Sequence, residues 1–319
     1  SYRGDIVNEP EFGRHARRPA PERMIQAYEH SAMTLNYIRA LGEGGFADLH
    51  HPEYWNLGFV RHDSLRQEYQ QIVDAILEAL HFMEAVSTNP IGDVDRVSFY
   101  TSHEALLLPY EESFTRRALK DAPTYNLSTH FPWIGKRTSH VDGAHVEYAR
   151  GIRNPLGLKI GPGTTTDGLI SLLERLNPDN EAGRITLITR FGANQIADGL
   201  APLLAHVERE GRLVLWACDP MHGNTETLSN GIKTRRFDNI KSELEQAFDL
   251  HADHGTILGG VHLELTGENV TECIGGARGL EEEDLHRAYQ SQVDPRLNGE
   301  QALELAFAIV RKRRAMLSK

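Results

Sequence analysis

The amino-acid sequence predicts an α/β fold in which parallel strands alternate with helices. Short apolar runs of strand length recur along the chain, and amphipathic stretches of helical length separate most of them. This alternation is typical of a parallel sheet, because each parallel connection needs a crossover that is usually a helix. The 319 residues suffice for one large barrel or two small domains, and no internal repeat competes with this interpretation.

The first part of the chain is predicted to be helical. The segments Pro21 to Leu41 and Leu65 to Val86 carry apolar residues at three- and four-residue intervals, which is the spacing of one helix face. We expect residues 21–86 to form a helical extension that packs on a single domain spanning residues 1–319.

The strands are predicted in the rest of the chain. The six apolar runs that fit are Val97–Tyr100, Asn126–His130, Leu156–Ile160, Arg184–Thr189, Leu213–Ala217 and Gly260–Leu265. The helices predicted between and after them are Asp167–Leu176, Ala193–Glu210, Phe237–His251 and Gly299–Met316. The last helix follows Asn298, a favourable N-cap, and ends in a basic turn that suits the helix dipole. Six strands are two short of a closed barrel of eight, and a doubly wound open sheet remains an alternative.

Composition argues against several classes of function. A formal net charge of -11 disfavours binding to nucleic acid or an anionic membrane, both of which need basic patches. No apolar run reaches the roughly 18 residues of a membrane span. The two cysteines, Cys218 and Cys273, are too few for a disulfide framework and favour a reducing compartment. We therefore expect a cytoplasmic protein.

Residues with metal-binding chemistry follow the later predicted strands. In parallel α/β folds, functional side chains gather in the loops beyond the carboxyl ends of the strands. His222 follows the fifth predicted strand, Glu264 lies near the end of the sixth, and Asp294 lies in a later loop. One imidazole and two carboxylates suit a borderline divalent ion such as Mn²⁺, Fe²⁺, Co²⁺ or Zn²⁺, which polarises an aldehyde oxygen as a Lewis acid.

Cations follow three of the earlier strands. Arg137, Lys159 and Arg190 lie on three different elements, and convergence of these side chains would bind a phosphate and a carboxylate. Each residue also has an ordinary explanation. With 16 histidines in the chain, a given imidazole is usually a surface or core group whose hydrogen bonds are satisfied. A lysine after a strand is usually solvated. Glu264 also fits a helix-capping carboxylate.

Several long strings along the chain identify a family resemblance. They are Ser1–Asp5, Thr101–Leu106, Trp133–Thr138, Asp142–His145, Asn154–Lys159, Asp219–Thr225, Lys233–Arg235, Thr266–Cys273 and Asp294–Asn298. In these strings the chain resembles the type II 3-deoxy-D-arabino-heptulosonate 7-phosphate (DAHP) synthases, the plant and bacterial form of the first enzyme of the shikimate pathway. The match runs almost end to end, and several of the strings are long and unusual.

The resemblance implies a fold, a reaction and a set of site residues. The fold would be a (β/α)₈ TIM barrel, and the reaction a metal-dependent, aldol-like condensation of phosphoenolpyruvate with erythrose 4-phosphate that releases phosphate. The metal ligands would be His222, Glu264 and Asp294, with Mn²⁺ expected first and Co²⁺, Fe²⁺ or Zn²⁺ as alternatives. Lys159, His222 and Glu264 would be catalytic. The substrate-binding residues would be Trp133, Lys136, Arg137, Lys159, Arg190 and Lys233.

The chain also departs from the family pattern. The family has an upstream segment with the first two barrel strands, a Cys metal ligand and a substrate-binding Arg, and this segment has no match here. Neither Cys218 nor Cys273 stands in the place of that ligand. Lys136 stands where the family usually has Glu, and Val293 where many members have Cys. Two alternatives therefore stay open, a non-catalytic paralogue and a related enzyme of secondary metabolism that takes a different aldehyde. Homo-oligomers and association with chorismate mutase are further expectations from the family.

Overall fold

The computed structural model describes residues 6–9, 11, 13–44, 62–86, 98–117, 119 and 122–317. The chain divides into two compact units, Ser1–Thr101 and Ser102–Lys319, and each is described by itself. Within the described residues, no helix combines the length and the apolar character that crossing a bilayer requires.

The part of the first unit that the structure describes contains two long helices, α1 (Glu22–Glu43) and α2 (Asp63–Val86). Both predicted helices are confirmed to within two residues at each end. Helix α2 buries Leu65, Tyr69 and Val73, which are spaced four residues apart and therefore share one face.

Within its described residues, the second unit contains ten short strands and six α-helices. The strands are β1 (Ser102–Glu104), β2 (Thr115–Arg117), β3 (Thr124–Asn126), β4 (Phe131–Ile134), β5 (Leu156–Ile160), β6 (Ile185–Thr189), β7 (Leu215–Cys218), β8 (Thr225–Thr227), β9 (Lys233–Arg235) and β10 (Leu258–Val261). The helices are α3 (Leu108–Ser113), α4 (Ala144–Arg150), α5 (Thr166–Leu176), α6 (Ile196–Arg209), α7 (Phe237–Asp253) and α8 (Gly299–Leu317).

Six of these strands form one parallel sheet in the order β1-β4-β5-β6-β7-β10, which is also their order along the chain. An isolated parallel bridge between Leu265 and Leu297 continues this order beyond β10. Strands that neighbour one another in chain order have the arrangement of a (β/α)₈ barrel, whereas a doubly wound sheet reverses its order at a switch point. The predicted parallel α/β fold is confirmed, and the strand order rejects the doubly wound alternative.

Two of the predicted strands are misplaced. The run Asn126–His130 was predicted as a sheet strand, but β4 begins only at Phe131. Asn126 instead ends a hairpin strand, and its backbone N–H donates to the Asn154 side chain at 2.8 Å rather than to a sheet neighbour. Of the run Val97–Tyr100, Val97 lies outside the described residues, and the rest is not a strand.

The sixth predicted strand, Gly260–Leu265, is shifted by a few residues. Strand β10 begins at Leu258 and ends at Val261, and its pairing with β7 shifts register between Leu258 and Gly260. One further backbone hydrogen bond follows the strand, from the His262 N–H to the Cys218 carbonyl at 2.8 Å. This early ending leaves Glu264 in a loop rather than in the strand.

The core lies between the sheet and its covering helices. Strand β5 is buried along its whole length, as expected for a strand of a parallel sheet covered on both faces. Helix α5 shows how the sequence specifies a helix that packs on the sheet. The Thr165 side chain caps its first turn by accepting from the Gly168 N–H, and Leu169, Leu172 and Leu176 form a buried stripe at helical spacing.

One buried histidine in this core makes stability depend on pH. His251 of α7 is fully buried, its ring meets the Trp216 ring edge-on, and its Nε2 has no hydrogen-bond partner in the described structure. Burial, with a smaller effect of His254, lowers the pKa of His251 from 6.5 to about 4. The unfolded chain therefore takes up this proton at a higher pH than the native chain does.

We expect the stabilisation from neutral His251 to be complete above pH 6.5, to fall as the pH decreases towards 4, and to change little below that. The loss amounts to at most about 3 kcal/mol. Urea unfolding of the parent and of His251→Gln, followed by circular dichroism between pH 7 and pH 4, measures it. The free energy of unfolding should fall more steeply in the parent, and parallel curves would contradict this explanation.

Candidate active site

Strand β5 and the loop that follows β7 meet at a buried ion pair. Lys159, near the end of β5, contacts Asp219, the first residue after β7, and both side chains are almost completely buried. The same Asp219 oxygen lies 2.7 Å from His222 Nδ1, and the other oxygen accepts the backbone N–H groups of Met221 and His222. Asp219 therefore fixes both the predicted substrate lysine and the predicted metal histidine.

The carboxylate of Asp219 also orients the imidazole. Because Nδ1 of His222 faces Asp219, Nε2 is directed towards the other side of the ring. There Nε2 lies 3.2 Å from Glu264 Oε1. A carboxylate on one ring nitrogen and a ligand position on the other is the usual arrangement of a metal-binding histidine.

The three predicted metal ligands converge. One ligand atom from each of His222, Glu264 and Asp294 lies within 4.8 Å of the others. Ligands at about 2.1 Å from one ion lie roughly 3–4 Å from one another, so a small closure would bring all three onto a single cation. The donor set of one nitrogen and two oxygens also fits a borderline divalent ion. These residues therefore fit the metal that the family resemblance implies.

Two cations hold the carboxylates of this trio. Arg235 is fully buried, and its guanidinium donates to Glu264 Oε2 at 2.5 Å and to the backbone carbonyl of Pro295. Lys233 Nζ donates to Asp294 Oδ1 at 2.7 Å. Because β9 carries both cations, one short strand sets the position of two predicted ligands.

The charges around the trio keep its carboxylates ionised. Burial raises the pKa of Glu264, but the hydrogen bond with His222 and the charge of Arg235 outweigh it, so that the pKa lies below its ordinary value. Burial likewise raises the pKa of Asp294, and Lys233 reverses the effect. Ionised carboxylates are the form that binds a metal ion.

The predicted anion-binding residues are only partly brought together. Arg190 donates to the backbone carbonyl of His222 at 2.9 Å, which places its guanidinium beside the metal trio. Burial and the nearby charge of Arg190 lower the pKa of Lys136, so these two cations are close enough to interact. Arg137 is exposed on the turn after β4 and makes no hydrogen bond or ion pair with the other predicted site residues that the structure describes.

Two aromatic groups line the space between the cations and the metal trio. The ammonium of Lys159 lies 4.9 Å from the centre of the Trp133 ring, which favours a cation there. The ring of His262 meets Trp133 edge-on and lies 6.2 Å from the His222 ring. Burial and the charge of Lys159 lower the pKa of His262 to about 4, which keeps this imidazole neutral.

The sequence predicted the three residues that converge but missed the residues that orient them. Asp219 stands directly beside a strand end in the string Asp219–Thr225, yet it was not assigned a role. Arg235 and His262 lie two residues from predicted site residues and were also missed. Two buried free cysteines, Cys218 and Cys273, lie near the site, and neither belongs to the metal trio.

The chain is similar in sequence to known proteins. The sequence model of the Class-II DAHP synthetase family matches residues 1–310. A Phospho-2-dehydro-3-deoxyheptonate aldolase of Neurospora crassa is 49% identical to this chain, and the alignment covers 97% of the chain and 67% of that protein. The protein of the same name from Streptomyces coelicolor is 46% identical, with 97% and 68% covered.

A solved structure was also compared with the chain. It is a truncated form of 3-deoxy-D-arabino-heptulosonate 7-phosphate synthase from Thermotoga maritima, with 15% sequence identity and a TM-score of 0.39. The comparison covers 81% of this chain and 73% of that one.

Proposed function

The chain belongs to the class-II DAHP synthetase family, and from this premise we propose that it condenses phosphoenolpyruvate with erythrose 4-phosphate to give DAHP and inorganic phosphate. This is the reaction of a transferase, 3-deoxy-7-phosphoheptulonate synthase, and the first step of the shikimate pathway. The observation that carries the proposal is the convergence of His222, Glu264 and Asp294 beside the buried pair of Lys159 and Asp219.

The proposed roles follow from the charges in the site. Lys159 and Arg190 bind the phosphate and carboxylate of phosphoenolpyruvate, with Arg137 and Lys136 adding positive charge nearby. Trp133 forms an apolar wall that excludes water from the enol carbon. Lys233 lies on β9 beside Asp294, where its ammonium is available to the phosphorylated aldehyde.

The proposed role of the metal trio is to bind the ion that activates the aldehyde. His222, Glu264 and Asp294 would hold a divalent ion, Mn²⁺ in our proposal, with Co²⁺, Fe²⁺ or Zn²⁺ as alternatives, and the ion would supply Lewis acidity to a bound oxygen. In the overall reaction C3 of phosphoenolpyruvate forms a bond to the aldehyde carbon, water adds at C2, and phosphate leaves. The residues of this chain align the two anionic substrates so that the reacting carbons meet.

Purified full-length protein should release inorganic phosphate from phosphoenolpyruvate only when erythrose 4-phosphate and a divalent metal are both present. Chelation with EDTA should abolish the release, and added Mn²⁺ should restore it. A coupled assay for phosphate, with mass spectrometry of the sugar product, measures the reaction. His222→Ala should lose at least about 10³-fold in kcat/KM, because the metal loses its only nitrogen ligand in this trio.

The same assay separates the alternatives. A non-catalytic paralogue would release no phosphate with any of the four metals. An enzyme for a different aldehyde would show a much higher kcat/KM with that competing aldehyde than with erythrose 4-phosphate. Lys136 motivates both alternatives, because an additional ammonium beside Arg190 changes the charge that a substrate meets.

We also propose a homo-oligomeric assembly, association with chorismate mutase and a cytoplasmic location, or a plastid location in a plant, as properties expected of the family. Light scattering of the full-length protein tests the first proposal. Co-purification with chorismate mutase tests the second.

A further inference from the structure

A buried carboxylate outside the substrate space connects two loops of the site. Glu243 lies on the inner face of α7 and is fully buried. No Lys, Arg or His side chain forms an ion pair with it within the described part of the chain. Burying a carboxylate without a counter-charge is costly, so such a group needs hydrogen-bond donors that stabilise it.

The first donors come from the loop after β6. The backbone N–H of Phe191 donates to Glu243 Oε1 at 2.7 Å, and the N–H of Gly192 also hydrogen-bonds to this side chain. Phe191 directly follows Arg190, the proposed phosphoenolpyruvate ligand. Glu243 therefore fixes the backbone from which the Arg190 side chain extends.

The third donor comes from the loop after β7. Asn224 Nδ2 donates to Glu243 Oε2 at 2.7 Å and to the Pro220 carbonyl at 2.8 Å, while its Oδ1 accepts the Ala193 N–H at 3.0 Å. Asn224 lies two residues after His222, so this side chain joins the loop of the proposed metal ligand to the loop of Arg190.

The two loops are in close contact at this point. A Cβ on Gly223 would collide with the backbone of Gly192, which has a positive φ of 92°. Arg190 in turn donates to the backbone carbonyl of His222 at 2.9 Å. A displacement of either loop therefore changes the distance between the guanidinium that holds one substrate and the imidazole that holds the metal.

We propose that Glu243 is a positioning residue that, through Phe191 and Asn224, sets the distance between Arg190 and His222 and so couples phosphoenolpyruvate binding to metal binding. The inference rests on the proposed function of these two residues. It assigns a role to a group that touches neither substrate nor metal. The contrasting explanation is that Glu243 only stabilises the packing of α7.

The chemistry of the contacts provides a near-isosteric test. A donor faces each oxygen of Glu243, so both oxygens act as acceptors. A glutamine at position 243 keeps one acceptor for the Phe191 N–H, but its amide nitrogen then faces Asn224 Nδ2, which is also a donor. Glu243→Gln therefore breaks the contact of this side chain with Asn224 while it preserves its size and its contact with the loop after β6.

The experiment measures binding of Mn²⁺ alone and of phosphoenolpyruvate alone by calorimetry. It compares full-length parent, Glu243→Gln, Asn224→Ala and the double variant, with thermal unfolding of each. Glu245→Gln, the same substitution at a partly exposed position of α7, is the matched control. We expect about 10- to 100-fold weaker Mn²⁺ binding in both single variants and phosphoenolpyruvate binding weakened about tenfold or more, with the control unchanged.

The double variant should bind the two ligands only slightly more weakly than either single variant, because both substitutions remove the contact between Glu243 and Asn224. Single variants that lose thermal stability but bind both ligands like the parent would overturn the inference. A double variant whose loss of affinity equals the sum of the two single losses would also overturn it. Asn224→Ala, at a partly exposed position, decides the question if Glu243→Gln does not fold. A parent that binds neither probe would refute the proposed function itself.

Discussion

Asp219→Asn should lower kcat/KM for phosphoenolpyruvate by about 10³-fold or more and weaken Mn²⁺ binding by about 10- to 100-fold. An amide at this position keeps the shape of the side chain, but one oxygen that accepts from Lys159 and faces His222 Nδ1 becomes a donor. The imidazole then loses the partner that directs its Nε2 towards Glu264. Steady-state kinetics and calorimetric metal titration of the full-length variant measure these two effects.

The same substitution should also destabilise the fold. Burial raises the pKa of Asp219, but His222 and the charge of Lys159 outweigh it, so that the pKa lies well below its usual range and the carboxylate is ionised. Without that charge the ammonium of Lys159 is buried alone, which costs about 3–5 kcal/mol. Asp167→Asn, at an exposed position of α5, is the control and should match the parent. Parent-like kinetics in Asp219→Asn would show that this carboxylate does not orient the site.

Glu272→Ala should lower the free energy of unfolding by about 3–5 kcal/mol. Glu272 is fully buried and accepts the backbone N–H groups of Gln290, Ser291 and Arg296, together with two bonds from the Arg296 guanidinium. Burial raises the pKa of Glu272, and these donors reverse the effect and lower it. Removing the carboxylate leaves a guanidinium and three amides without their acceptor.

Loss of Glu272 should also weaken metal binding, because the segment that it holds carries Asp294. Urea unfolding followed by circular dichroism measures the stability, and calorimetry with Mn²⁺ measures the binding. Glu283→Ala, at an exposed position nearby in the chain, provides the control. A loss in Glu272→Ala no larger than in this control would mean that the five hydrogen bonds contribute nothing net to the fold.

The convergence of two of the three proposed metal ligands could be predicted from the sequence because strand ends are recognisable. His222 and Glu264 follow apolar runs that form β7 and β10, and parallel strands bring the loops after their carboxyl ends to one edge of the sheet. Asp294 follows no strand of the described sheet, and it was predicted only as a carboxylate in a later loop, within the string Asp294–Asn298. The close approach of the three side chains arises only in the folded chain.

The residues that orient the trio could not be predicted in the same way. Asp219 contacts Lys159 across 60 positions of the chain, and Arg235 contacts Glu264 across 29. A buried charge is recognisable only through its partner, and the partner becomes a neighbour only in the folded chain. In the sequence, Glu243 and Glu272 cannot be distinguished from the many solvated carboxylates around them.

The misplaced strand shows a second limit of prediction from sequence. The run Asn126–His130 has strand-like composition, but polar side chains compete for its backbone. Asn126 and Ser128 donate to the buried Glu111 at 2.6 Å, and Asn154 pairs with the Asn126 backbone. These tertiary hydrogen bonds end the hairpin strand and delay the sheet strand to Phe131.

The central claim is that one divalent cation is held by His222, Glu264 and Asp294. Anomalous diffraction at the manganese absorption edge, from crystals of the full-length protein grown with Mn²⁺, tests it most directly. We predict one strong peak at about 2.2 Å from His222 Nε2 and from a carboxylate oxygen of each acidic residue. A manganese peak elsewhere, with these three side chains ordered and turned away from one another, would contradict the proposed site.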